Sequence, residues 1–303
     1  MLLGEFIKQI RIQKGISQAE ASANAITQSN YSKFELGKID ISANALFTII
    51  YNLDISLEEF VMLYENEFST EMNEIVNHFF KMRSNKIEDL IHIRESASDY
   101  LARTNNYNET LQNIIELTYG LEAISENQDY EKAIFYANPI WDKLQKRERW
   151  YLREITLLNT ILYIFPFETA EEIIKRSLKF LSNYPDNTSI KILKLNLLIN
   201  ISLLCIKNEK IKLAITYLNH SLSLANQLPI EFYKNLVKMR LAYCNASLKD
   251  NFDHDFMSII MYFYSSNNTD MFLHLKREAN QYCKNPLFME LIEKYEQKLK
   301  SIL

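Results

Sequence analysis

The chain has 303 residues and a net charge of −4, with only 4 Gly and 5 Pro. That length suits one large or two ordinary domains, the scarcity of helix breakers points to helix nearly throughout, and the charge excludes a strongly basic coat. The opening MLLGEFIKQIR lacks the apolar core of an export signal, no run reaches membrane-spanning length, and Cys205, Cys244 and Cys283 suggest a reduced, cytosolic chain without a disulfide framework.

Gly4, Gly15 and Gly37 come early and only Gly120 follows, whereas Pro139, Pro166, Pro185, Pro229 and Pro286 all come later. This asymmetry predicts two architectures. Leu3 to Lys14 reads as a helix with the apolar stripe Phe6, Ile7 and Ile10, ended by Gly15 in the left-handed region. Ser17 and Glu20 form a capping box that opens a short helix over 18–24. Thr27 caps a third helix over 28–36, closed by Gly37. Helices over 42–52 and 56–68 follow, the last opened by Ser56 and Glu59.

Short helices joined by a tight turn make a helix-turn-helix layout. In the third helix Ile26, Tyr31 and Phe34 face inward, leaving Gln28, Ser29, Asn30, Ser32 and Lys33 outside. Gln and Asn pair with adenine edges, Ser with either kind of base, and Lys with phosphate or guanine. The helix starts capped by Ser17 and Thr27 can donate N–H groups to phosphate. The candidate DNA-facing set is Arg11, Ser17, Gln18, Thr27, Gln28, Ser29, Asn30, Ser32, Lys33 and Lys38. The alternative is a small helical cap with a solvated polar face. Lys8, Arg11, Lys14, Lys33 and Lys38 stand against Glu5, Glu20, Glu35 and Asp40. One copy therefore binds DNA weakly, and a dimer on two half-sites is needed.

Beyond residue 70 the pattern predicts helices over 71–83, 86–103, 107–125, 129–145, 148–165, 167–184, 188–206, 209–228, 230–249, 253–264, 267–283 and 285–302. Pro139 lies inside its span and should kink it. Cys205, Cys244 and Cys283 recur at one constant step, as do Asn196, Asn235 and His274. Helical pairs recurring at that step make a tetratricopeptide-like solenoid whose first helices line a concave face. On that face Asn196 and Asn200 share one side of a helix, and Asn235 follows one repeat later. Asn both donates and accepts, which suits an extended peptide backbone; alternatively each Asn bridges neighbouring core helices. Arg153 can clamp a peptide carboxylate or form an internal salt bridge. Tyr233, Lys234 and Arg240 are weaker candidates. The last helix, with Leu287, Met289, Leu291, Ile292, Tyr295, Leu299 and Ile302, either caps the solenoid or pairs with its copy.

The segment SQAEASANAITQSNYSKFELGK followed by ISANALFTIIYNLDISLEEF resembles the phage-repressor-like (Cro/CI type) helix-turn-helix. SKFELGK and ISLEEF, with the repeats behind them, resemble the Rgg/GadR/MutR regulators of Gram-positive bacteria. Trp150, Glu154 and Asn159 match a W-x-x-x-E-x-x-x-x-N pattern of the same group. The resemblance implies an all-α chain: a five-helix DNA-binding domain at 1–66 and a helical-repeat sensing and dimerisation domain at 67–303. It implies a cytoplasmic transcription regulator that partners promoter DNA, a short hydrophobic signalling peptide and a second copy of itself, with no membrane. The peptide-facing candidates are Arg153, Asn159, Asn196, Asn200, Tyr233, Asn235 and Arg240. Two alternatives stay open. The repeats could bind a protein partner, or they could serve only to dimerise a constitutive repressor, in which case Asn196, Asn200 and Arg153 would be buried and internally satisfied.

Enzyme chemistry finds little purchase. His78, His92, His220, His254 and His274 are scattered, and Asp253–His254–Asp255 reads as a loop. The cysteines lack zinc-ligand spacing, and no phosphate loop, GxSxG or HExxH is present. No cofactor or metal is expected.

Overall fold

A computed structural model describes residues 2–67, 70–82, 85–105, 107–248, 256–266, 268–283 and 285–300. Every regular element among them is helical. The chain divides into two compact units, Met1–His78 and Phe79–Leu303. The expected boundary at 66/67 falls one helix earlier than this division, because α6 (Glu71–Lys81) belongs to the first unit as far as His78. Asp253, His254, Asp255 and Ile302 lie outside the described residues, as does the side chain of Leu299.

The N-terminal unit contains α1 (Leu3–Gln13), α2 (Gln18–Ser22), α3 (Gln28–Glu35), α4 (Ala43–Asn52) and α5 (Leu57–Glu67). Local chemistry sets these boundaries. The Ser17 hydroxyl accepts from Glu20 N at 3.2 Å, and Glu20 returns the contact by accepting from Ser17 N at 2.8 Å. Thr27, Ser42 and Ser56 accept from the backbone three residues on. Gly37 ends α3 at φ +65°, where its N–H reaches Phe34 O and the next N–H reaches Lys33 O. Gly4 serves a different need: a Cβ there would stand 1.9 Å from the carbonyl oxygen of Phe34, so only glycine lets α1 lie on the end of α3. Phe6, Ile7, Ile10, Tyr31, Phe34, Ile49, Leu53 and Phe60 form the core, with Ile26 packed at its margin.

The second unit runs through α7 (Ile87–Thr104), α8 (Glu109–Asn127), α9 (Tyr130–Leu144), α10 (Leu152–Thr160), α11 (Phe167–Leu181), α12 (Thr188–Lys207), α13 (Ile211–Ala225), α14 (Glu231–Ser247), α15 (Phe256–Ser265), α16 (Thr269–Tyr282) and α17 (Pro286–Lys300). Consecutive helices pack against one another from α7 to α9 and from α10 to α17, and α10 touches α12 as α14 touches α16. Hydrogen bonds join positions one repeat apart: Ser125 to Asn85 (40 residues), Asn200 to Asn159 (41), Arg240 to Ile199 (41) and Asn285 to Ala246 (39). The step read from the cysteines is therefore close to the spatial repeat.

Two expectations need correction. The helix expected over 148–165 is shorter. Trp150 is fully buried, donates Nε1–H to Leu144 O at 2.7 Å, and packs against Trp141 and Phe180. That anchor holds Tyr151 extended, so α10 starts only at Leu152, and a 3-10 turn (Leu162–Ile164) follows. Arg176 covers the Trp150 ring and donates to the carbonyls of Gln145 and Arg147, satisfying the loop that the lost helix leaves behind. α9 includes Pro139 within its span, as expected. Second, among the described residues α12 alone is long and apolar enough to cross a membrane, although 56% of its apolar window is buried inside the fold. Its apolar length serves packing against α11 and α13. At the C-terminal end, α17 packs against α15 and α16; it buries Phe288 and Ile292, with Phe288 on the ring of Phe256, while Leu287 stays exposed.

Candidate functional site

Two surfaces hold the expected functional residues, one in each unit. In the first, Gln28, Ser29 and Asn30 are exposed along the first turn of α3, Lys33 follows on its last turn, and Lys38 lies just beyond; Ser32 is half-buried. Tyr31 and Phe34 hold the opposite face in the core. The result is a rigid, capped helix start with amide, hydroxyl and ammonium groups directed at solvent. Among the described residues, this is the arrangement that can read base edges.

Arg11 and Gln18 do not belong to that surface. Arg11 donates Nε–H to Glu35 Oε1 at 2.6 Å, a second N–H to Glu35 Oε2 at 3.0 Å, and a third to Ile16 O at 2.9 Å. Gln18 gives its amide N–H to the same carboxylate at 2.7 Å. The Glu35 side chain is only 1% exposed. Burial opposes its charge, but the hydrogen bonds from Arg11 and Gln18 outweigh burial and hold the carboxyl below its ordinary range. The trio ties α1, α2 and the end of α3 into one body. Asn52, which sequence reasoning passed over, adds to this: its amide donates to Ala21 O at 3.0 Å and Ala23 O at 2.8 Å, closing the frayed end of α2.

In the second unit the peptide-facing candidates separate. Asn200 on α12 donates to Asn159 on α10 at 3.0 Å, and both are half-buried. They line a cavity of about 450 Å³ with Phe80, Met82, Asn85, Leu162, Tyr163, Leu203 and Lys207. Asn85 donates to the Tyr163 hydroxyl at 2.8 Å, fixing the far wall. A further cavity of about 260 Å³ shares Leu203 and Lys207 and continues past His274, Arg277, Gln281 and Tyr282 on α16. Arg153 is exposed and lines a separate cavity of about 440 Å³ with Glu109, Arg147, Tyr151 and Glu154. Asn196 and Tyr233 are half-buried and line none of these three cavities.

Asn235 and Arg240 are internal. Asn235 is buried and its amide donates to Glu231 O, one turn back, at 2.9 Å. Arg240 is 5% exposed and makes a bidentate pair with Glu278, at 2.8 and 2.9 Å, plus a bond to Ile199 O at 3.2 Å. The Tyr243 hydroxyl also donates to Glu278. Burial works against the Glu278 charge, yet Arg240 and Tyr243 hold the carboxyl below its ordinary range. Both residues were expected on the ligand face because polar residues stand out in apolar helices. The partners of Arg240 lie too far along the chain to be seen by periodicity, whereas Asn235 turns back on its own helix. Trp150 and Glu154 of the sequence pattern are held internally: Trp150 is buried, and Glu154 accepts from Tyr151 N and from Arg147 at the edge of the Arg153 cavity, so Asn159 alone of that trio lines the cavity with Asn200.

Burial pushes the Cys205 and Cys244 thiols up to about 12, so both are neutral thiols near pH 7, and all three cysteines are free. Among the described residues no three His, Cys, Asp or Glu side chains group as metal ligands would.

Comparison with known proteins agrees with the two-part reading. The helix-turn-helix family matches residues 7–60. The crystal structure of the Streptococcus dysgalactiae SHP pheromone receptor Rgg2 superposes with a TM-score of 0.70 at 16% identity, over 92% of this chain and 99% of that one. The PrgX/cCF10 complex gives 0.67 at 17%, over 92% and 91%. Bacillus thuringiensis PlcR, solved with the peptide PapR7 and DNA, gives 0.60 at 16%, over 99% and 98%. At such identities the likeness establishes architecture. The chain carries an N-terminal domain of the helix-turn-helix family and shares the all-α, helical-repeat fold of these regulators.

Proposed function

We propose that the protein is a cytoplasmic, homodimeric transcription regulator of the Rgg/GadR/MutR type. Its helix-turn-helix engages promoter DNA, and its repeats take up a short hydrophobic signalling peptide that changes that engagement. The observation that carries the peptide part is the Asn159–Asn200 pair. Their mutual bond uses one donor and one acceptor, leaving Asn200 Oδ1 to accept and Asn159 Nδ2 to donate. One amide acceptor and one amide donor side by side, in a cavity that also presents Phe80, Met82, Leu162 and Leu203, match the two faces of a peptide group. The solved relatives that carry a peptide, or a peptide and DNA, support the same reading.

On the DNA side, Gln28, Ser29 and Asn30 read base edges, Lys33 and Lys38 meet phosphate, and the α3 start capped by Thr27 adds backbone N–H groups. Arg11 and Gln18 position this surface and do not touch DNA. The peptide biases one of two arrangements of the paired DNA-binding units, by no more than its differential affinity for them. The test is binding to DNA from upstream of its own gene, with and without synthetic peptides encoded beside that gene. A peptide that shifts DNA affinity, with the shift lost in Asn200→Ala, supports the proposal. Affinity indifferent to every such peptide overturns it.

A further inference from the structure

The two cavities adjoin at Leu203 and Lys207, which line both, and as the two ends of a groove they are unequal. At the Asn159–Asn200 end, Lys207 is the only charged residue among the lining side chains, and Phe80, Met82 and Leu162 supply apolar wall beside the uncharged Asn85, Asn159 and Asn200. At the other end Lys207, His274 and Arg277 gather around the opening, and all three are exposed. The one carboxylate lining that end, Glu278, is occupied: Arg240 pairs with it through two N–H groups, Tyr243 donates to it, and His274 comes no closer than 4.0 Å. Among the described residues neither Lys207 nor Arg277 has an ion-pair partner; Arg277 spends one N–H on Leu273 O at 3.3 Å. Among the described residues, no carboxylate is thus left to compensate Lys207 and Arg277 at this end.

We propose that the groove reads the direction of its peptide, seating the free C-terminal carboxylate against Lys207 and Arg277, with His274 beside them. The apolar side chains and backbone then run toward Asn159, Asn200 and Phe80. This inference rests on the peptide reading above. The chemistry follows from charge and geometry. A carboxylate accepts charge-assisted bonds from ammonium and guanidinium groups, whereas the terminal amine of a peptide laid in reverse would meet like charge. Where the Asn pair lies, Lys207 is the one charged lining side chain, so main-chain amides find partners there while a carboxylate finds fewer cations than at the Arg277 end.

The experiment presents the full-length protein with short peptides of Leu, Ile, Phe, Trp and Gly in three forms: free acid, C-terminal amide and N-acetylated acid. Native mass spectrometry reads retention. We expect both acids to be retained alike and the amide to bind about tenfold more weakly, which corresponds to about 1.4 kcal/mol. In the Lys207→Gln, Arg277→Gln double variant the acid and the amide should become equal. Equal binding of acid and amide to the unaltered protein overturns the inference while leaving the peptide reading in place. A loss on N-acetylation instead overturns it by showing the opposite direction. Retention of none of the three forms overturns the peptide reading itself, and this inference with it.

Discussion

In the N-terminal unit Arg11 on α1 reaches Glu35 at the end of α3; in the repeat unit Arg240 on α14 reaches Glu278 on α16. Both arginines grip a nearly buried carboxylate with two N–H groups, and both spend a third on a backbone carbonyl, of Ile16 and Ile199 respectively. Each was expected to face a ligand. The pairs differ in their surroundings. Arg11 is 12% exposed and shares its acid with Gln18, at the rim of a small core. Arg240 is 6% exposed, shares its acid with Tyr243 and joins three first helices of successive repeats. The small domain uses its pair to fix a turn, and the solenoid uses its pair to fix a stack. In both, a polar side chain that reads as recognition chemistry is part of the frame that holds recognition in place.

Breaking the deeper pair should cost more. Arg240→Ala leaves Glu278 buried without its counter-charge, and the expected loss is about 3–5 kcal/mol in the repeat unit. Trp141 and Trp150, the only tryptophans in the chain, both lie in that unit, so fluorescence-detected unfolding isolates the effect. An unchanged tryptophan transition would remove Glu278 from the core argument. Arg11→Ala should cost less, about 2–3 kcal/mol, because water reaches its guanidinium more easily. Its loss should appear as faster hydrogen exchange in α1 and α3, with the tryptophan transition unmoved.

Acid should sharpen the contrast. Both carboxyls are held below the unfolded value of 4.5. Their contribution is therefore complete above that pH and is lost as pH falls through the depressed folded values. Urea midpoints of both units should fall in that acid window. Glu35→Gln should flatten the acid limb for the N-terminal unit alone, and a limb as steep as before would assign the acid sensitivity elsewhere. The smallest effect belongs to purely local chemistry. Ser17→Ala removes one cap hydrogen bond and should cost about 1 kcal/mol, read as exchange at the start of α2; no change there would mean that tertiary contacts alone hold that helix.

Most of the secondary structure was legible because its signals are local. Capping boxes act over three residues, left-handed glycines end the first and third helices, and apolar stripes repeat each turn. The one large miss, the helix expected over 148–165, came from Trp150, whose anchor at Leu144 and partners on α11 outweigh the helical preference of residues 148–151. The α3 surface was legible for the same local reason: Gln28, Ser29, Asn30 and Lys33 share the face left over by Tyr31 and Phe34. The groove was only partly legible. Asn159 and Asn200 were each singled out, but neither their bond nor the sharing of Lys207 by two cavities follows from spacing alone.

The sequence by itself determined the all-helical class, the division into a small capped domain and a longer repeat array, the approximate repeat length and the exposed face of α3. Each depends on interactions spanning a few residues, or on a periodicity that survives sequence drift. Only the tertiary structure decided which polar side chains face a ligand and which are spent internally. Glu35 lies 24 residues from Arg11, and Glu278 lies 38 from Arg240. Whether a buried charge is matched depends on a partner that folding brings within 3 Å, a distance that no pattern along the chain encodes.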